Sequence, residues 1–188
     1  MFTWEELENA CRNCTRCGLC GNRNNVVFGT GNRNALIMFI GEGPGEQEDL
    51  QGEPFVGPAG QFLDDMLSII GVDRTNCYIA NIVKCRPPKN RDPYDNEQEA
   101  CIGYLRKQVE LVKPQIIVCL GRIAAKRIID PDFHISRRHG DWLCVDGTWI
   151  TAIYHPSALL RDVHKRPATF DDLLSIEMKI KEVKRTTR

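Results

Sequence analysis

Four short apolar runs constrain the fold of this chain more than any other feature of its sequence. They are ALIMFI at 35–40, CYIANIV at 77–83, QIIVCLG at 115–121 and TWITAIY at 148–154. Each run has the length of a buried strand, and segments with helical spacing separate them. Strands that alternate with helices predict a parallel sheet covered on both faces. We therefore expect an α/β fold with a four-stranded parallel sheet sandwiched between helices in three layers, as one domain over residues 1–188.

Composition predicts a cytoplasmic protein that is not inserted in a membrane. No stretch approaches the roughly 20 apolar residues that a membrane-spanning helix needs. The first ten residues, MFTWEELENA, begin acidic and lack an apolar run, which argues against a signal peptide. Nine cysteines in a reducing compartment indicate a metal or catalysis rather than disulfides.

Four of the cysteines lie three residues apart in CRNCTRCGLC at 11–20. A zinc ribbon needs two C-x2-C pairs separated by a longer loop, and the ferredoxin-like run ends in C-x3-C-P, so neither pattern matches. Successive cysteines three apart drift about 60° around a helix. A regular helix therefore cannot aim all four at one cluster, whereas two neighbours converge easily. The spacing predicts a cluster held by one local pair and by distant ligands, and it leaves the pair open.

Three loops with chemical character follow predicted strands: GEGPGE at 41–46, the basic KCRPPKNR at 84–91 and HPSALLR at 155–161. The carboxyl ends of parallel strands meet at one edge of a sheet, so we expect these loops to lie together. GEGPGEQED fits neither the dinucleotide-binding pattern nor a P-loop, and its four acidic residues would repel a phosphate. Its glycines instead suggest close approach to a flat, uncharged ligand.

The segment HPSALLR contains three kinds of side chain that could act on a nucleic acid. Its histidine can donate a hydrogen bond to a developing oxyanion, Ser157 can contact a phosphate, and Leu159 or Leu160 can wedge into a base stack. A structural His-Pro turn is the alternative interpretation. The basic runs are likewise compatible with solvated faces or with a phosphate-contacting surface beside an acidic pocket.

Six motifs in a fixed order make the chain resemble the family 4 uracil-DNA glycosylases, the iron–sulfur branch of the uracil-DNA glycosylase superfamily. The motifs are VVFGTGN, GEGPGEQED, PFVGPAGQFLD, NIVKCRPPKNR, IIVCLG and HPSALLR, and the resemblance runs from about Cys14 to the C-terminal helix. It implies a four-stranded parallel sheet sandwiched by helices. It also implies a monofunctional DNA repair enzyme that flips deoxyuridine out of the stack. Such an enzyme hydrolyses the N-glycosidic bond in base excision repair, releasing uracil and leaving an abasic site.

The resemblance assigns roles to the pocket residues. His155 would donate to uracil O2 as the base becomes anionic, and Glu42 would position the attacking water. Phe55 would stack on the flipped uracil, and Asn81 would read its edge, because an amide offers both a donor and an acceptor.

Two further positions complete the implied pocket. Gly43 would form its floor beside Glu42, at the position where some superfamily members have an aspartate that activates water. Glu48 would line the side near uracil C5, where a thymine methyl group would clash.

The resemblance further implies a [4Fe–4S] cluster ligated by Cys14, Cys17, Cys85 and Cys101. Cys11 would then be a packing residue and Cys20 a spare, although registers that use Cys11 with Cys14, or Cys17 with Cys20, stay open. We expect the cluster to be structural, tying the N-terminal segment to the basic loop and so positioning Lys84, Arg86, Lys89 and Arg91.

The expected partner is uracil-containing DNA, single- or double-stranded, bound by a monomer. Its contacts would come from Arg86, Lys89, Ser157, Leu159, Leu160 and Arg161, and no site for a sliding clamp is visible in the sequence. The alternative function is a non-catalytic or covalently trapping uracil-DNA-binding protein that keeps a structural iron–sulfur cluster. Trapping is associated with an inserted basic loop containing histidine, and KCRPPKNRDP has none.

Overall fold

The computed structural model describes residues 3–186 of the chain. Over this range the chain forms a six-stranded sheet in the order β1-β3-β2-β4-β6-β5. The strands are β1 (Thr30–Gly31), β2 (Ile37–Gly41), β3 (Cys77–Asn81), β4 (Ile116–Leu120), β5 (Leu143–Val145) and β6 (Thr148–Ile153). The central strands β3, β2, β4 and β6 are parallel, which confirms the predicted sheet.

Two short antiparallel strands extend this sheet beyond the prediction. β1 pairs with β3 at one edge, and β5 pairs with β6 at the other. They contain two and three residues, and every residue of β5 is exposed. Neither strand is a buried apolar run, so the pattern that identified the four central strands does not detect them.

Helices cover both faces of the sheet. Those of residues 3–186 are α1 (Trp4–Arg12), α2 (Glu46–Gln51), α3 (Pro58–Ile69), α4 (Asp95–Val112), α5 (Arg122–Ile128), α6 (Ile135–Arg138), α7 (Pro156–Arg161) and α8 (Arg166–Thr186), with short 3₁₀ turns at Gly18–Gly21, Pro88–Asn90 and Val163–Lys165. None of these helices combines the length and the apolar character needed to cross a membrane.

Alternating side chains of the central strands build two cores. In β2, Ile37 and Phe39 face one side of the sheet and Met38 and Ile40 face the other, as the period of two in a strand requires. Residues of α3 and α8 pack in the first core, and residues of α1, α4 and α5 pack in the second. The result is the expected three-layer arrangement, which leaves the loops at the strand ends free to form a site.

Candidate active site

The loops at the carboxyl edge of the parallel strands surround a cavity of about 820 Å³. The six residues predicted to form the pocket all line it: Glu42, Gly43, Glu48, Phe55, Asn81 and His155. Three of them mark strand ends, because Glu42 follows β2, Asn81 ends β3 and His155 lies two residues after β6. The prediction that these loops lie together is confirmed.

His155 lies at the start of α7 with one ring nitrogen already occupied. Its Nδ1 accepts a 3.1 Å hydrogen bond from the backbone N–H of Ser157, and Ser157 Oγ lies 2.8 Å from the same atom. Burial lowers the pKa of His155 to about 4, and the charge of Arg161 adds to this effect. The ring is therefore neutral at physiological pH and carries its proton on Nε2, where it can donate.

A close approach of the backbone holds the histidine in place. Gly121, directly after β4, has φ of +90°, and a Cβ atom there would lie 2.8 Å from His155 Cβ. Any larger residue would therefore be strained and would also push the histidine out of position.

Glu42 is a partly buried carboxyl group at the end of β2. Burial and, to a smaller extent, the charge of Asp92 raise its pKa to about 7, against the opposing charge of Arg122. A carboxyl group with a pKa near the working pH is suited to accept a proton from water. The raised pKa of Glu42 means that this carboxyl group titrates near pH 7. The lowered pKa of His155 means that its ring is uncharged at the same pH.

Asn81 presents a buried amide to the cavity. Its side chain is 1% exposed, and its Oδ1 has no hydrogen-bond partner within residues 3–186. Gly41 packs against it so closely that a Cβ atom there would lie 2.4 Å from this oxygen. A buried polar atom without a partner is unusual in a folded protein and points to a ligand that completes the bond.

Phe55 lies in the turn between α2 and α3 with an uncommon backbone conformation. Its φ is +56°. This left-handed conformation is energetically unfavourable for any residue other than glycine. Arg74 holds the turn, because its guanidinium donates to the carbonyl oxygens of Pro54 and Phe55. The Phe55 ring centroid lies 5.6 Å from that of His155, so the aromatic face borders the same space as the histidine.

Glu48 and Gly43 each make close contacts with neighbouring segments of the chain. Glu48 Oε1 accepts hydrogen bonds from the backbone N–H groups of Val56 and Gly57, at 2.9 and 2.8 Å. It therefore fixes the turn beside Phe55 as well as lining the cavity. A Cβ atom on Gly43 would lie 2.7 Å from Val83 Cγ2, so an aspartate at this position would require Val83 to move.

The motif HPSALLR divides into buried and exposed parts, which corrects one of its predicted DNA contacts. Leu159 is 1% exposed and packs in the core, so it cannot act as a surface wedge. Leu160 is 42% exposed and is available for that role. Arg161 is exposed and lines the cavity, whereas Ser157 contacts His155 and fixes its tautomer.

The basic loop after β3 is also divided. Lys89 is exposed, and Arg86 keeps 22% of its side chain exposed while bonding to Asn90. Lys84 is fully buried, and its Nζ donates a 2.6 Å hydrogen bond to Gln108 Oε1. Lys84 was predicted to be positioned for DNA with its neighbours, and that prediction is wrong because its side chain points into the core.

Cysteines from both ends of the basic loop meet the N-terminal cysteines around one small pocket. The predicted ligands Cys14, Cys17, Cys85 and Cys101 line it, and so do Cys11 and Cys20. α1 ends at Arg12, so Cys14 and Cys17 lie beyond the helix, free of its angular spacing. Across residues 3–186, no three Cys, His, Asp or Glu side chains are close enough to hold one metal ion.

Hydrogen-bond donors and cations nevertheless lie beside the cysteine sulfurs. Arg23 Nη1 donates a 3.3 Å hydrogen bond to Cys85 Sγ and a 2.8 Å bond to the carbonyl oxygen of Cys14. The backbone N–H of Lys84 donates to Cys101 Sγ at 3.3 Å. Burial raises the pKa of Cys85 and Cys101, and the nearby cations Arg23 and Lys84 oppose that rise. Four thiols with such donors match the ligand chemistry of an iron–sulfur cluster.

Comparison with known proteins agrees with this geometry. The model of the Uracil DNA glycosylase superfamily matches residues 28–176. The type-4 uracil-DNA glycosylase of Archaeoglobus fulgidus is 45% identical over 169 residues, which cover 85% of this chain and 84% of that protein. The chain belongs to the type-4 uracil-DNA glycosylase family.

Two further members of the family have similar coverage. The type-4 uracil-DNA glycosylase of Thermotoga maritima is 45% identical over 170 residues, 86% of this chain and 88% of that protein. The one from Sulfurisphaera tokodaii is 40% identical over 185 residues, 94% of this chain and 84% of that protein. The similarity thus extends beyond the pocket motifs to most of each chain.

The structure of this type-4 family member also adds residues that sequence analysis missed. Arg122 and Asp92 line the cavity and pair with each other, with Nη2 and Oδ2 2.6 Å apart. Arg122 directly follows β4 and Gly121, so the rule that ligands bind at strand ends could have found it. Arg74 lies outside the cavity and acts through a backbone turn, for which the sequence carries no signal.

Proposed function

We propose that this chain is a monofunctional uracil-DNA glycosylase that hydrolyses the N-glycosidic bond of deoxyuridine in DNA. The observation that carries the proposal is the cavity that brings a neutral histidine, His155, together with the unpaired amide oxygen of Asn81 and the carboxyl group of Glu42. A pure binding module has no need for this combination. Membership of the type-4 family supports the same reaction.

Recognition begins with extraction of the base, which costs a few kcal/mol. The flipped uracil stacks on Phe55, a contact worth roughly 1–3 kcal/mol. The amide N–H of Asn81 donates to uracil O4, and its amide oxygen accepts from uracil N3–H. Cytosine offers an amino group and a bare nitrogen at these positions, so it mismatches a fixed amide. Glu48 and the turn that it holds border the side on which a thymine methyl group would lie.

Hydrolysis breaks the C1′–N1 bond and leaves its electron pair on uracil. The N–H group at His155 Nε2 donates a hydrogen bond to O2, where negative charge develops. The water oxygen bonds to C1′, and Glu42 positions this water and accepts its proton. The base leaves as the uracil anion, Glu42 passes the water proton to solvent, and the anion takes up one proton from solvent. The products are then uracil and an abasic sugar.

The cysteine pocket is proposed to hold a [4Fe–4S] cluster through Cys14, Cys17, Cys85 and Cys101. When bound, the cluster supplies a structural crosslink between the N-terminal segment and the basic loop. These four cysteines would each supply one thiolate to the cluster. Arg23 and Lys84 would balance part of the thiolate charge.

DNA is proposed to lie across the cavity mouth. Arg161, Arg86 and Lys89 would contact phosphates, and Leu160 would enter the space that the flipped nucleotide leaves. These contacts serve single- and double-stranded substrates alike, because they address the backbone and the base stack.

The test is release of free uracil from a single-stranded oligonucleotide that carries one uracil. Alkali-sensitive cleavage at that position reports excision, and an oligonucleotide with thymine at the same position is the control. We expect cleavage of the uracil strand alone and a large loss with Asn81→Ala. Retarded DNA without cleavage would favour a non-catalytic binding protein, and a crosslinked band on the same gel would favour a covalent trap.

A further inference from the structure

An ion pair at the mouth of the cavity has no role in the steps above. Arg122, the first residue of α5, pairs with Asp92 in the loop after β3, with Nη2 and Oδ2 2.6 Å apart. Both side chains line the cavity that contains Glu42, and half or more of each is exposed. An exposed ion pair contributes little to the stability of the fold. We therefore consider its electrostatic effect on the neighbouring charged groups of the cavity.

The other charged groups of the cavity are engaged elsewhere. Arg86 pairs with Glu46, backbone N–H groups bond to Glu48, Glu97 pairs with Arg91, Asp162 pairs with Lys165, and Arg161 acts on His155. The phenol of Tyr154 also lines the cavity, and its ring lies against His139. Asp92 raises the pKa of Glu42 and Arg122 lowers it, in addition to the effect of burial.

We propose that Asp92 and Arg122 are positioning residues that set the charge state of Glu42 and thereby the pH range in which Glu42 can accept a proton from water. The inference rests on the proposed role of Glu42. The Arg122 cation stabilises the carboxylate, and the Asp92 anion destabilises it while holding the guanidinium in place. DNA phosphates at the mouth would add negative charge near Glu42, and Arg122 would offset that charge.

The two charges have opposite effects on the pKa of Glu42, so the two variants should shift it in opposite directions. Removing Arg122 raises the pKa of Glu42 and moves the acidic limb of the activity profile to higher pH. Removing Asp92 lowers the pKa and moves that limb to lower pH. Interactions of this kind across a wet cavity shift a pKa by about half a unit.

The direct test is a ¹³C NMR titration of the Glu42 carboxyl carbon in Arg122→Gln, Asp92→Asn and wild-type protein, with the resonance assigned by its loss in Glu42→Gln. The matched control is Arg127→Gln, which breaks the other ion pair made by an arginine of α5, Arg127 with Glu99, outside the cavity lining. We expect a raised midpoint with Arg122→Gln, a lowered one with Asp92→Asn and no change with Arg127→Gln. Unmoved midpoints, or two shifts in the same direction, would overturn the proposal.

The activity arm separates this inference from the proposed function. Single-turnover uracil release at saturating oligonucleotide is measured from pH 5 to 9 for the same variants, so that weaker DNA binding does not enter the rate. We expect the acidic limb to follow the NMR midpoint of each variant. If the midpoints move in opposite directions and the limb does not follow, the ion pair acts on Glu42 as inferred, but the role of Glu42 in hydrolysis is wrong.

Discussion

The Nδ1 atom of His155 accepts a hydrogen bond from the backbone N–H of Ser157, 3.1 Å away. A backbone donor cannot be an acceptor, so this bond requires an unprotonated Nδ1 and leaves the ring proton on Nε2. Burial keeps the ring neutral by lowering its pKa to about 4. The local turn that begins α7 therefore prepares the histidine to donate.

Replacing His155 with alanine should lower kcat about 10²- to 10³-fold, because one donor to a developing oxyanion is lost. The change in KM should be small, since the bond strengthens as charge develops. Ser157→Ala is the matched control, because it keeps the backbone N–H and should cost less than about tenfold. The measurement is single-turnover uracil release. Equal losses in both variants would show that the serine hydroxyl, rather than the backbone, controls the ring.

The wild-type rate should fall as pH decreases through about 7. Burial raises the pKa of Glu42 to about 7, so acid protonates the group that accepts the proton of water. His155, with its pKa at about 4, stays neutral over the same range. A pH profile of single-turnover rates from 5 to 9 measures this limb. A limb centred near 4 to 5 would assign it to another group.

Glu42→Gln should stabilise the folded protein at pH 8 while it lowers the activity. A carboxyl group whose folded pKa lies above its unfolded pKa contributes stability that is present at low pH and lost as pH rises through the folded value. Ionised Glu42 therefore destabilises the fold above about pH 7. We expect a gain of about 1–2 kcal/mol at pH 8, reduced by solvent screening, and none at pH 4. Urea unfolding at the two pH values measures it.

The parallel core of the fold and the meeting of its loops follow from the sequence for a clear physical reason. Buried strands need continuous apolar runs, and the runs at 35–40, 77–83, 115–121 and 148–154 provide them. Parallel strands then bring their carboxyl ends to one edge, which places Glu42, Asn81 and His155 in one cavity. The two edge strands were not predicted, because they are short and β5 is exposed.

Orientation within the loops could not be predicted. Leu159 and Leu160 are adjacent and identical in type, yet only the packing of α7 on the core decides that Leu159 is buried. Lys84 lies in a basic run, and tertiary contact with Gln108 turns it inward. Arg74 reaches the Phe55 turn from about twenty residues away in sequence. Which face a loop side chain takes depends on contacts that no local pattern encodes.

Arg74→Met should impair uracil binding through Phe55. The guanidinium donates to the carbonyl oxygens of Pro54 and Phe55 and so supports the left-handed Phe55 backbone. Without it the turn should relax, with kcat/KM about tenfold lower, mainly through KM. Asp64→Ala is the control, since it removes the acceptor of the 2.8 Å bond from Arg74 Nε but keeps both carbonyl bonds. Steady-state kinetics that change equally in the two variants would contradict this role.

Cys85→Ala should lose both iron and DNA affinity. Cys85 links the basic loop to the N-terminal segment through the cysteine pocket and through Arg23, so its loss frees both segments. Iron content, brown absorbance and oligonucleotide binding are measured on the same sample. Cys144→Ala, at an exposed edge strand, is the control and should keep all three.

Single alanine variants of Cys11 and Cys20 decide the register of the ligands. Both residues line the pocket together with Cys14 and Cys17. The proposed set predicts full iron content in both variants, with some loss of stability for Cys11, which is 1% exposed in the core. Loss of iron in either variant, with iron kept in Cys14→Ala or Cys17→Ala, would assign the cluster to a different pair.

Gln108→Leu should destabilise the fold by about 3 kcal/mol. Lys84 and Gln108 are fully buried, and their 2.6 Å hydrogen bond gives the ammonium group an acceptor in the core. Removing one partner of a buried charge leaves the other uncompensated and costs several kcal/mol. Gln108 also donates to the carbonyl oxygen of Phe28 and to the Tyr78 hydroxyl, so part of the loss comes from those bonds.

The double variant Lys84→Met with Gln108→Leu separates the two contributions. If the buried charge dominates, the double variant should recover more than half of the stability that Gln108→Leu loses, because no ammonium group is left without a partner. Urea unfolding at matched iron content measures all three variants, since Lys84 lies beside the cysteine pocket. No recovery in the double variant would mean that the amide's bonds to Phe28 and Tyr78, rather than the lysine, account for the loss.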